Sequence, residues 1–159
     1  NFMGYEIAQF SEWDYTKSID FFLLQCEKHA KMQIFVKALN IFYKNCKPFY
    51  DIEDSWAGFE WLVADDRYNN LFAFARRAEN GETVIAVINF SGVDLLNYNL
   101  GIEKGKYRLI FNTDEKIYGG DGRLRKKVFI TKKQESNGKI YSIDLDIPKL
   151  TCIYLIKEK

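Results

Sequence analysis

One histidine, His29, and no Gly-x-Ser-x-Gly run in 159 residues leave almost nothing from which to build a nucleophile with a histidine base. No apolar stretch approaches the roughly 18 unbroken residues of a membrane-crossing helix, and no charged-then-apolar leader opens the chain. Neither sign of charge dominates. The 23 Lys and Arg against 22 Asp and Glu leave a net charge of +1, without the surplus that draws a nucleic acid. The expectation is of no membrane and no nucleic-acid partner. Three cysteines, Cys26, Cys46 and Cys152, odd in number and far apart, do not form the dense framework of a small secreted scaffold, and they point to a reducing, cytoplasmic compartment. Asn89-Phe90-Ser91 matches a glycosylation acceptor, which in that compartment is expected to be idle.

What the sequence does have is apolar surface: 47% hydrophobic and 16% aromatic residues, ample for the core of one domain or one domain plus a smaller piece. Met32, Phe35, Val36, Leu39, Phe42 and Tyr43 recur with helical period and predict a long helix from Met32, closed before Pro48. A shorter helical turn is predicted over Ser18 to Leu24, with Ser18 as N-cap and Asp20 in the first turn.

After about Trp56 the period changes. Eight candidate strands follow: Phe59 to Ala64, Leu71 to Arg77, Thr83 to Phe90, Leu95 to Leu100, Tyr107 to Asn112, Lys127 to Lys132, Lys139 to Ile147 and Thr151 to Ile156. Asn80-Gly81 and Asn137-Gly138 are hairpin signals, because tight hairpin turns need positive φ. Short strands without intervening helices predict a mainly β fold, an antiparallel β-sandwich over residues 51–159, preceded by a helical segment over residues 1–50. Asn1 to Gly4 reads as a strand end leading into a loop from Tyr5 to Tyr15. With no initiator methionine at Asn1, the expectation is that further sequence lies upstream. Without it, the apolar stripe of the long helix is expected to be exposed or buried by self-association.

A search for paired carboxylates of glycoside chemistry, about 5 to 9.5 Å apart, finds none. Asp65-Asp66 and Glu53-Asp54 read as solvated turns, and Asp144 and Asp146 as the polar face of a strand whose Ile143, Leu145 and Ile147 point inward. Cys26 and His29 have no second ligand pair, so neither metal nor cofactor is expected. Gly119-Gly120-Asp121-Gly122 lacks the Lys-Ser/Thr of a phosphate loop and reads as a turn. The basic run Arg123, Arg125, Lys126, Lys127, Lys132 and Lys133 reads as solvated surface balanced by acidic clusters. Of the tryptophans, Trp13 and Trp56 are candidates for stacking on sugar rings, whereas Trp61, in an alternating strand, is expected in the core.

Several short motifs occur in one order along the whole chain. They are Phe2-Met3-Gly4-x-Glu6-x-x-Gln9, Glu12-Trp13, Ser18-x-Asp20, Leu39-Asn40-Ile41-Phe42-Tyr43, Gly58-Phe59-Glu60-Trp61, Asn89-Phe90-Ser91, Asn112-Thr113-Asp114, Tyr118-Gly119-Gly120-x-Gly122 and Ile147-Pro148-x-Leu150. In this order the chain resembles the carboxyl-terminal part of bacterial 1,4-alpha-glucan (glycogen) branching enzymes of the alpha-amylase superfamily. Tyr5, Ile7 and the basic stretch 123–133 depart from the family's pattern. The resemblance implies that residues 1–50 are the last strand end, loop and helix of a (β/α)8 catalytic barrel and that residues 51–159 are the sandwich that caps it. It implies a parent that cleaves α-1,4 glucan with retention and makes α-1,6 branches, with its catalytic carboxylates upstream. No catalytic residue is carried onto this chain, which alone is expected to be inactive. Because loops after barrel strands open onto the active-site face, the resemblance makes Glu6, Gln9, Trp13 and Asp14 candidate α-glucan contacts. Two other expectations stand beside this one, a freestanding α-glucan-binding sandwich and the tail of another superfamily hydrolase.

Overall fold

The computed structural model describes residues 2–158. The first third is helical: 3-10 turns at Tyr5–Ile7 and Phe21–Gln25, helix α1 at Glu27–Asn45, and a 3-10 turn at Lys47–Phe49. Helix α1 starts a turn earlier than the apolar period predicts. Its first turn is polar and is held by the Glu27–Lys31 ion pair at 2.6 Å, a device that apolar periodicity does not detect.

The N-terminal segment corrects two expectations. The short helical turn lies at Phe21–Gln25 and is preceded by Asp20, not capped by Ser18, and it has no side-chain cap bond. The Asp20 carboxylate instead accepts a bond from the Ser11 hydroxyl at 3.0 Å. Phe2 to Gly4 form a turn in which the Tyr5 N–H donates to the Phe2 carbonyl at 2.9 Å, so the expected strand end is absent from these residues; Asn1 lies outside the described residues.

Eight strands follow among the described residues: β1 Phe59–Asp66, β2 Leu71–Arg77, β3 Thr83–Asn89, β4 Leu95–Ile102, β5 Lys106–Asn112, β6 Val128–Ile130, β7 Tyr141–Ile147 and β8 Thr151–Lys157. They form two antiparallel sheets of unequal size, one of six strands in the order β1-β2-β3-β8-β5-β6 and one of two, β4-β7. Strand β6 is shorter than predicted, because Lys132 leaves the large sheet to bridge Ser142 of β7. Asn137 and Gly138 both take positive φ (47° and 71°), as a tight hairpin turn requires, whereas at Asn80-Gly81 only Gly81 does.

The two sheets enclose the core. Leu71, Ala73 and Ala75 of β2 lie opposite Asn89, Val87 and Ile85 of β3, and these align with Leu155 and Ile153 of β8. From the small sheet Leu100, Ile102, Ile143, Leu145 and Ile147 close the layer, all at most 1% exposed. The alternation predicted for β7 is therefore present, with Asp144 turned outward to Lys132 and Asn99.

The outer face of the large sheet is covered in part. Helix α1 lays Phe42 flat on Phe111 of β5 (centroids 4.7 Å apart, planes at 14°) and against Tyr154 of β8 at 5.1 Å. Phe49 meets the same tyrosine at 5.5 Å, and the Arg76 guanidinium donates to the carbonyls of Pro48, Phe49 and Ile52. Past this cover Phe59, Trp61, Phe72 and Phe74 form a ladder of rings on β1 and β2. Trp61 is 51% exposed there, which overturns its expected place in the core. Alternation sorts residues onto two faces but does not say which face is covered.

Candidate functional site

The N-terminal loop, residues 9–20, surrounds a polar notch of about 80 Å³ lined by Gln9, Trp13, Asp14, Lys17 and Asp20 among others. That volume admits a few waters or hydroxyl groups, so a sugar ring fits only above it. Local geometry brings the loop to this shape. Gly4 and Ala8, on either side of the Tyr5–Ile7 turn, take positive φ (86° and 52°). This lets the chain reverse so that the Gln9 amide lies against Gly4, where a Cβ would stand 2.3 Å from the glutamine Cδ. Gln9 Nε2 then donates to the Ser11 carbonyl at 3.0 Å, and its Oε1 accepts from the Asp20 N–H at 3.4 Å.

Of the four residues singled out in the sequence, three meet here. Gln9 spends its amide on the loop itself. Asp14 accepts from the Thr16 hydroxyl and N–H at 2.6 and 2.9 Å and pairs with Lys17 at 3.1 Å; the Thr16 bonds, with Lys17, hold its carboxyl below the usual aspartate value. Trp13 is 43% exposed and meets Phe2 edge to face at 5.1 Å. Glu6 is not part of this group. It lies on the groove beside α1 with Gln33, Val36 and Lys37, because the Tyr5–Ile7 turn directs it away from the loop that Gln9 begins. The turn is tied to α1 by His29, whose buried Nδ1–H donates to the Ile7 carbonyl at 2.7 Å. That bond occupies one of the two ring nitrogens, while Cys26 is exposed. Among the described residues no three His, Cys, Asp or Glu side chains are grouped to hold a metal, and no helix is long and apolar enough to cross a membrane.

Sequence reasoning passed over Ser11, and it placed Asp20 on a helix dipole. Their mutual bond spans nine positions inside an irregular loop, where no period or short motif marks it.

A second ordered unit lies at the far end of β5. The buried Asp114 carboxylate accepts the backbone N–H groups of Asp121 (2.9 Å) and Arg123 (2.6 Å), and its carbonyl accepts that of Gly122. Gly120 passes so close that a Cβ would stand 2.4 Å from the Asp114 backbone. The Asn-Thr-Asp and Tyr-Gly-Gly-x-Gly motifs are thus two halves of one stapled loop. Arg123 leaves it to pair with Asp94 and Asp121 at 2.6 Å each. Lys127 and Lys132 of the basic stretch likewise find Glu115 and Asp144.

The profile of the alpha amylase C-terminal all-beta domain matches residues 61–158, more than half of the chain. The chain belongs to that family. Solved structures similar to it include the Group B Streptococcus pullulanase SAP (TM-score 0.56, 11% identity, 89% of this chain and 18% of that one). The catalytic module of the multi-modular glycogen-degrading pneumococcal virulence factor SpuA, in complex with an inhibitor, is another (TM-score 0.55, 14% identity, 89% and 20%). At such identities the likeness is one of fold. The chain spans about a fifth of the length of these two structures, and the 89% overlap reaches past the all-beta domain into the helical segment.

Proposed function

We propose that this chain is the carboxyl-terminal part of an α-glucan-acting enzyme of the alpha-amylase superfamily, specifically a 1,4-alpha-glucan branching enzyme that passes α-1,4 chains to glucose 6-hydroxyls. The Asp114 staple carries the reading. It unites the Asn112-Thr113-Asp114 and Tyr118-Gly119-Gly120-x-Gly122 blocks, on which the resemblance to branching enzymes is most specific, in a single loop. In this reading residues 1–50 end a catalytic barrel, the all-beta domain packs on that barrel, and catalysis belongs to carboxylates outside this chain. The residue 9–20 loop, with Gln9, Trp13 and Asp14, faces the glucan. A cytoplasmic location belongs to the same proposal and is checked by fractionating cells that express the parent.

A second reading, the tail of a pullulanase-like hydrolase, draws on the two similar structures, one titled a pullulanase and the other glycogen-degrading. Sequencing the reading frame upstream of Asn1 and assaying the whole enzyme on amylose and on pullulan, which carries α-1,6 linkages for a hydrolase to cleave, separates the two. Branching leaves the number of reducing ends constant while α-1,6 linkages accumulate; hydrolysis raises the number of reducing ends. A rise in reducing ends without new branches overturns the branching reading.

A further inference from the structure

We propose that Ser11 and Asp20 are positioning residues, a clasp that presents Trp13 to an α-glucan; the inference rests on the glucan-facing reading of the residue 9–20 loop. Stacking on a sugar needs a ring already held in place, because ordering it at the moment of binding subtracts from affinity. Trp13 has one aromatic neighbour, Phe2, and sits in a loop without regular structure. What closes that loop is a chain of polar contacts. The Ser11 hydroxyl donates to the Asp20 carboxylate at 3.0 Å, Gln9 Nε2 donates to the Ser11 carbonyl at 3.0 Å, and Gln9 Oε1 accepts from the Asp20 N–H at 3.4 Å. Gly4 backs the Gln9 amide.

The Asp20 side chain is available for this role because it does not cap the Phe21–Gln25 turn that follows it. A bond to an ionised acceptor is stronger than a neutral one, so the Ser11–Asp20 contact is the tie whose loss most loosens the loop. Asp14, Thr16 and Lys17 tie only the loop's tip. They leave the relation between its two ends to the clasp.

The test uses the whole enzyme labelled with 5-fluorotryptophan, the Trp13 resonance being assigned by its loss in Trp13→Phe. Ser11→Ala and Asp20→Ala are each expected to shift and broaden that resonance. Proteolytic cleavage within residues 9–20 should rise about tenfold as the loop opens more often, with the urea midpoint unchanged. Asp20→Asn, whose amide oxygen still accepts from Ser11 but carries no charge, should fall between the unsubstituted protein and Asp20→Ala. Maltoheptaose should move the Trp13 resonance, with an affinity that Asp20→Ala lowers about threefold or more. A resonance and cleavage rate unmoved by Asp20→Ala overturn the clasp. A loosened loop with unchanged maltoheptaose affinity overturns the positioning role. If millimolar maltoheptaose leaves Trp13 of the unsubstituted whole enzyme unmoved, the glucan-facing reading falls while the cleavage data still stand for the clasp.

Discussion

Asn89 has no accessible surface, and both ends of its amide are committed. Its Nδ2 donates to the Val93 and Pro148 carbonyls at 2.9 and 3.0 Å, and its Oδ1 accepts the N–H and hydroxyl of Ser91. One side chain therefore joins the end of β3 to the turn before β8. Replacing it with Ala leaves the buried Pro148 carbonyl and the Ser91 N–H without the bonds Asn89 gave them, so Asn89→Ala should cost about 2 kcal/mol in urea unfolding. The same burial gives a structural reason why Asn89-Phe90-Ser91 is a poor glycan acceptor, since the acceptor nitrogen is enclosed in the folded chain. Burial also sets the thiols apart: it pushes Cys46 and Cys152 up to about 11, which keeps them protonated and unreactive at neutral pH.

Helix α1 is joined to the large sheet by rings. Phe35 and Phe42, one apolar face of the helix, both reach Phe111, and Phe42 also reaches Tyr154. The apolar period of α1 was legible in the sequence, as were the strands Phe111 and Tyr154 belong to. Their meeting was not, because 60 residues separate the helix from β5 and 105 separate it from β8. Phe42→Ala removes the stacked ring between the layers and should destabilise the chain by about 2 to 3 kcal/mol, at the low end for a phenylalanine because the site is only partly enclosed. Chemical denaturation followed by far-ultraviolet circular dichroism checks this. Were α1 to lose its helicity in a separate, earlier transition, the helix and the all-beta domain would be independent folding units.

At the scale of the molecule, a network of opposite charges spans much of the sandwich. Glu60 of β1 pairs with Arg77 of β2 and with Lys139 before β7, Arg77 also approaches Glu103 at 3.5 Å, and Glu103 pairs with Lys157 of β8 at 2.8 Å. Burial works to raise the Glu60 carboxyl, but its bonds to Lys139 and Arg77 outweigh that and hold it below the ordinary 4.5. Lys157 leads in lowering Glu103. A carboxyl lowered by folding binds fewer protons in the folded state. Its contribution to stability is thus fully present above about pH 5 and is lost as pH falls through the folded value. The urea midpoint should drop from pH 5 toward pH 3, and Glu60→Gln should flatten that slope while leaving the chain less stable at pH 7. An unchanged slope in Glu60→Gln would place the acid sensitivity elsewhere.

The helix-then-strand order, the eight strands, the turn glycines and the kinship with alpha-amylase C-terminal domains were legible in the sequence, since they follow from period, turn chemistry and short motifs that neighbouring residues carry. Packing in three dimensions is what leaves Trp61 in the open, turns Glu6 away from Gln9, Trp13 and Asp14, brings Asp20 to Ser11 and lets Asp114 staple the glycine turn. Each depends on which faces are covered or on which polar groups meet across irregular backbone. Those are properties of chain segments brought together by packing, and local periodicity carries no record of them.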